Sequence, residues 1–252
     1  METILPAEAA PVTPPEVRPT APAWHTIALI VVLALFSIAN AATTHHATTS
    51  RVKITQYLLT IAWEFALVAY MWWGGRMRGV KLREVIGGRW ERVEDFLIDV
   101  VIALGFWLGA LLVLGTLAVG LGLSSTHANE QLKGLEEARK QLGFLVPRTQ
   151  IETILWVVLS VSAGFCEEIV FRGYLQRQFR AWTGNAILGI LLSGIVFGGG
   201  HGYEGGKRMI VIAVFGILFG SLAHLKKSLR PGMMAHALHD TAAGLILKVL
   251  LC

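Results

Sequence analysis

Cysteine is nearly absent from this chain: Cys166 and Cys252 are the two in 252 residues, which supports neither a disulfide framework nor a thiolate metal site. Charge is scarce too. Charged residues make up 15% of the chain against 54% hydrophobic, and the mean hydropathy is +0.58, which excludes an ordinary soluble domain. The net charge of +5 comes without an aromatic-interleaved basic stripe, so nucleic acid is not an expected partner. No HExxH stretch is present, and no internal repeat of the kind that marks many transporters. Proline is concentrated at one end, with Pro6, Pro11, Pro14, Pro15, Pro19 and Pro22 preceding the first apolar run. Residues 1–22 are therefore expected to be a disordered extended tail.

What remains is a succession of apolar runs. They fall at about residues 24–42, 54–73, 96–123, from 151 onward, 186–197, 209–225 and 231–251. The expected fold is an all-α, polytopic membrane helix bundle with about seven transmembrane helices. Residues 23–252 then form one transmembrane domain, with the lipid bilayer as the first partner. Ala39-Asn40-Ala41 resembles a signal-peptidase site, but no basic stretch precedes the run, so the first helix is expected to be retained. Tyr70, Trp72 and Trp73 suit a headgroup boundary, and Arg76, Arg78, Lys81, Arg83, Arg89 and Arg92 put the following connection in the cytoplasm. Val80, Leu82, Val85, Ile86 and Trp90 in that connection have the spacing of a surface amphipathic helix, which Gly87-Gly88 weakens. His45 and His46 read as a solvated loop pair, and residues 124–148, with Glu136-Glu137 and Arg139-Lys140, as a polar connection. Lys226, Lys227 and Arg230 fall on the same side as the first basic connection by counting.

Ionisable groups inside apolar runs are costly and mark function by default. Several acids stand there. Glu64 is expected to be neutral or paired with another helix, and Asp99 to reach the interface. Glu167 and Glu168 sit side by side, and Asp240 lies in the last span. Neighbours on an α-helix point about 100° apart, whereas positions four apart share a face. Glu168 can therefore pair with Arg172, which leaves Glu167 facing elsewhere. His201 follows Gly198-Gly199-Gly200, where a helix can break, and His236 and Asp240 share a face. Any one of these alone reads as a packing residue or an internal ion network. Three polar clusters on three apolar helices are hard to accommodate unless they meet. Cys166, adjacent to Glu167, is expected to be small buried packing, and Tyr203, Glu204 and His239 are secondary candidates.

Glu167-Glu168-xxx-Arg172, Phe197-xxx-His201 and His236-xxx-Asp240, in that order on late membrane helices, resemble the signature of the CPBP family. This group contains the CAAX prenyl endopeptidases and the bacteriocin-processing or immunity proteins, also called Abi proteins. The resemblance covers about residues 150–250. It implies an intramembrane endopeptidase of glutamate type, acting on a membrane protein or peptide and needing no cofactor, and it places the chain in a bacterial inner membrane. Carried over by position, Glu167 is the general base, His201 its partner on the attacking water, and His236 an oxyanion donor. Glu168, Arg172 and Phe197 form the supporting shell. Asp240 stands where the prenyl endopeptidases carry asparagine; it is protonated, or orients His236, or reflects a different substrate. A zinc hydrolase built from Glu167, Glu168, His201, His236 and Asp240 is the second reading. A silent scaffold or immunity protein and a transporter follow. Oligomeric state is not legible.

Overall fold

In hydrocarbon every backbone N–H and C=O must be satisfied within its own segment, so an apolar chain of this kind becomes helices. The computed structural model describes residues 18–42, 49–123, 136, 139 and 143–251. Most of the expected tail, His45 and His46, most of the polar connection 124–142 and Cys252 lie outside them. The helices are α1 (Ala23–Ala42), α2 (Ser50–Arg76), α3 (Leu82–Ile86), α4 (Val93–Gly120), α5 (Gln150–Glu167), α6 (Gln176–Thr183), α7 (Ala186–Gly200), α8 (Gly206–Lys226) and α9 (Arg230–Leu251). A π-helical segment, Glu168–Leu175, joins α5 to α6 without a break. No β-strand occurs among the described residues, only one antiparallel bridge between Gly87 and Ser228.

Five of these helices are long and apolar enough to cross a membrane: α1, α2, α4, the continuous stretch Gln150–Thr183, and α8. Two of the about seven expected spans are not among these five. α7 is short, and α9 has the length but is diluted by His236, His239, Asp240 and Lys248. The surface helix expected around Val80–Trp90 shrinks to five residues, because Gly87 and Gly88 take φ of 66° and 59° and end it.

α5 lies at the centre, against α2 on one side and α9 on another, while α7 and α8 form a hairpin and α4 packs on α9. Its start is fixed by a capping box between Thr149 and Glu152 and by Lys53 from α2, whose Nζ lies 3.6 Å from Glu152 and donates to the Val146 carbonyl at 2.6 Å. α4 sits at the rim, with only 17% of its apolar window buried, and exposes Leu97, Val101, Leu108 and Leu112 as a lipid-facing surface. At the other end of the expected tail, Thr20 and Ala21 are buried and donate their backbone N–H groups to Gln178 Oε1 at 2.8 and 3.1 Å.

The basic connections do lie on one face. Leu229 N–H donates to the Ile86 carbonyl at 2.8 Å, Arg177 donates to the carbonyls of Glu84 and Val85 at 2.8 and 3.0 Å, and Arg230 covers the Trp90 ring at 4.9 Å. From that face α7 climbs only part of the way. Gly184, at φ 67°, ends α6, and Asn185 caps α7 by accepting from Ile187 and Leu188 N–H. His201 is then about 22 Å along α7 from Ala186, and Glu167 about 24 Å back along its helix from Thr183, at roughly 1.5 Å per residue. The two residues therefore lie at similar distances along their helices from the turn at Gly184 and Asn185.

Candidate active site

Close approach of two backbones builds the site. A Cβ at Gly164 would stand 2.7 Å from Ala237 N and 2.8 Å from Met233 O, so only glycine lets α5 and α9 meet there. About one turn later come Glu167 and Glu168, opposite His236. Glu168 is fully buried, and its Oε1 lies 3.1 Å from Arg172 Nη1 and 3.0 Å from His236 Nδ1. The expected pairing of Glu168 with Arg172 is present, and the same oxygen also holds the histidine. A carboxylate only accepts, so Nδ1 carries the proton and Nε2 faces the other way. There Nε2 stands 3.6 Å from Glu167 Oε2 and 3.5 Å from Asp240 Oδ2.

The π-helical segment begins at Glu168, and all eight of its residues are buried. Such segments displace carbonyls from their normal partners; here Ser193 of α7 donates its hydroxyl to the Phe171 carbonyl at 2.7 Å. Phe197 forms the wall between the clusters. Its ring lies 4.3 Å from the Arg172 guanidinium carbon, 4.9 Å from the His201 ring and 6.1 Å from the His236 ring. His201 terminates α7 and is half-buried. Its Nδ1–H donates to the Phe197 carbonyl at 2.9 Å, which leaves Nε2 of the neutral ring as an acceptor. His201 makes no hydrogen bond or ion pair with Glu167 or His236; it shares an electrostatic neighbourhood with Asp240 and Glu204 instead.

Glu64, expected to be neutral or paired with another helix, is held by α5 and was not counted among the site candidates. It is 5% exposed in the middle of α2, accepts from Ser162 Oγ at 2.6 Å, and is close enough to interact electrostatically with Glu167, Asp240 and His236. The signal was the one that singled out Glu167, a lone acid at membrane depth. Phe215 and Phe219 were also missed; they stack on one another at 4.1 Å and lie 4.9 and 5.5 Å from His236, closing its apolar side. His239 lies 5.0 Å from the Phe215 ring, and Tyr203 5.9 Å from His201. Cys166 is 1% exposed and lies close enough to Glu64 and Glu167 to interact with them electrostatically.

Among the described residues no group of three or more His, Cys, Asp or Glu side chains is arranged to hold a metal ion. The donor chemistry explains why: Glu168 is already committed to Arg172 and His236, and a buried guanidinium beside the site opposes a dication.

Residues 149–242 match the family model of the type II CAAX prenyl endopeptidase Rce1-like proteins. This segment is a domain of that family. No curated protein and no solved structure matches the chain. The Rce1-like domain runs from the capping box of α5 into α9 and contains every residue of the three motifs, while α1 to α4, and with them Glu64, lie outside it.

Proposed function

We propose that this chain is an intramembrane endopeptidase that hydrolyses a peptide bond of a membrane-associated or lipidated protein or peptide, in the inner membrane of a bacterium, with a water activated by Glu167 and His201. One observation carries the reading: Glu167 is 20% exposed, next to His236 Nε2, while its neighbour Glu168 is fully buried and doubly committed. One acid is free to take a proton and the other is not.

Glu167 removes the proton from water as the oxygen attacks the scissile carbonyl, and His201 Nε2 holds the second water hydrogen. The carbonyl oxygen becomes an oxyanion. With carboxylates facing both ring nitrogens, His236 is suited to the imidazolium form, in which Nε2–H donates to that oxyanion while Nδ1–H stays on Glu168. Asp240 Oδ2, at 3.5 Å, orients Nε2. Collapse of the tetrahedral intermediate breaks the C–N bond, and Glu167 returns its proton to the leaving amine. A general base contributes about 10²–10⁴-fold to such a reaction, so Glu167→Gln is expected to lower turnover by that factor with the fold retained. The test compares the termini of membrane and secreted proteins in cells carrying wild type or Glu167→Gln. An unchanged set of termini rejects proteolysis, and cleavage lost to a strong chelator rejects the metal-free mechanism.

A further inference from the structure

Below Arg172, on the basic face, lies a cavity of about 390 Å³ that none of Glu167, His201, His236 and Asp240 enters. Its lining brings together Arg18, Arg172, Arg177, Arg180 and Lys227 with a single acid, Glu84. We propose that this cavity binds a phosphate group at the headgroup level of the bilayer.

Loop cations that merely orient a membrane protein need not converge. Here they come from the segment before α1, the π-helical segment, α6 and the end of α8, and they meet around one space. Arg172 is 2% exposed, and apart from its ion contact with Glu168 its guanidinium nitrogens have no hydrogen-bond partner. Unsatisfied donors on a buried charge are costly unless something accepts from them. Arg177 is occupied by the carbonyls of Glu84 and Val85 and closes the rim. Arg18, Arg180 and Lys227 form no ion pair among the described residues, although Arg180 and Arg177 repel one another. Lys227 also ends α8 at φ 52°, a position that ordinarily takes glycine or asparagine.

Several guanidinium forks and an ammonium around one site suit an anion with three or more acceptor oxygens, which is the chemistry of phosphate rather than of a carboxylate. Basic pockets between membrane helices on the cytoplasmic side have the depth and charge for lipid headgroups. A phospholipid and free phosphate would both satisfy the same donors.

The test uses the full-length protein in detergent, with lipid retention read by native mass spectrometry and thermal stability in parallel, after exposure to phosphatidylglycerol, phosphatidylcholine or inorganic phosphate. Phosphatidylglycerol is expected to be retained roughly tenfold more than phosphatidylcholine, and the double variant Arg180→Gln/Lys227→Asn to lose that preference. Asparagine keeps the left-handed backbone at position 227. Inorganic phosphate that displaces the lipid and raises the melting temperature by itself identifies free phosphate as the ligand; phosphate without effect identifies the headgroup. Lipid retention that the double variant leaves indistinguishable from wild type, with no response to phosphate, overturns the proposal. Should the double variant fail to fold, Arg18→Gln, outside every helix, serves in its place with the same criteria. No arm depends on cleavage, so the outcome is separate from that of the protease reading.

Discussion

Glu168 Oε1 accepts from His236 Nδ1 at 3.0 Å while meeting Arg172 Nη1 at 3.1 Å, so one buried oxygen links a structural cation to a candidate catalytic ring. Removing either charged partner alone leaves the other uncompensated in the protein interior. Glu168→Gln and Arg172→Met are each expected to destabilise by about 3–5 kcal/mol, and the double variant by clearly less than their sum. Denaturant or thermal unfolding of the four proteins checks this; additive losses would mean that the pair is not coupled.

Asp240 faces Nε2 of the same ring at 3.5 Å. If it orients His236, an amide of the same shape preserves the packing and keeps a carbonyl oxygen for Nε2–H. Asp240→Asn is expected to retain cleavage within about tenfold, whereas Asp240→Ala falls by about 10²–10³-fold, the loss typical of a disturbed oxyanion site. Initial rates on one cleaved substrate decide, and an inactive Asp240→Asn would show that the negative charge itself is required.

Glu64 adds a further carboxylate to a region that already holds Glu167 and Asp240. Like charges at low dielectric repel strongly, so neutralising one relieves the fold. Glu64→Gln is expected to stabilise the protein by about 0.5–2 kcal/mol and to slow cleavage, the exchange of stability for activity common at functional sites. A melting temperature that falls, with the rate unchanged, would make Glu64 a packing residue.

Gly164 tests the backbone contact. Alanine gains about 1 kcal/mol in helix propensity over glycine, but its Cβ meets backbone atoms of Ala237 and Met233 below 3 Å, and overpacking of this kind costs about 1–3 kcal/mol. Gly164→Ala is expected to lower both stability and activity, because α9 carries His236 away from Glu167. Gly109→Ala on α4, with nothing within 4 Å, is the control and is expected to be neutral or stabilising. Equal melting temperatures for the two variants would dispose of the argument.

Glu167, Glu168, His201, His236 and Asp240 were legible because an ionisable residue in an apolar run has no other explanation than a protein interior or a wet cavity. Glu64 emitted the same signal from the first half of the chain, but nothing in the sequence says that α2 packs on α5, so it had no visible partner. The split between the two glutamates came from helical spacing, and the structure keeps it while adding His236 to Glu168. The π-helical segment was not legible, since Ile169, Val170, Phe171 and Tyr174 read equally well as α-helix. Five of the about seven expected spans meet the demands of length and apolarity, and α7 and α9 fall outside them for opposite reasons: one is apolar but short, and the other is long but carries the polar residues of the site.

Ser37 of α1 donates its hydroxyl to the Gly199 carbonyl at 2.7 Å and accepts from Gly202 N–H at 3.1 Å. A single side chain from outside the Rce1-like domain thus bridges the place where α7 stops, on both sides of His201. The first helix clamps the end of α7, and a substitution at Ser37 is expected to shift His201 from a helix that holds none of the candidate catalytic groups.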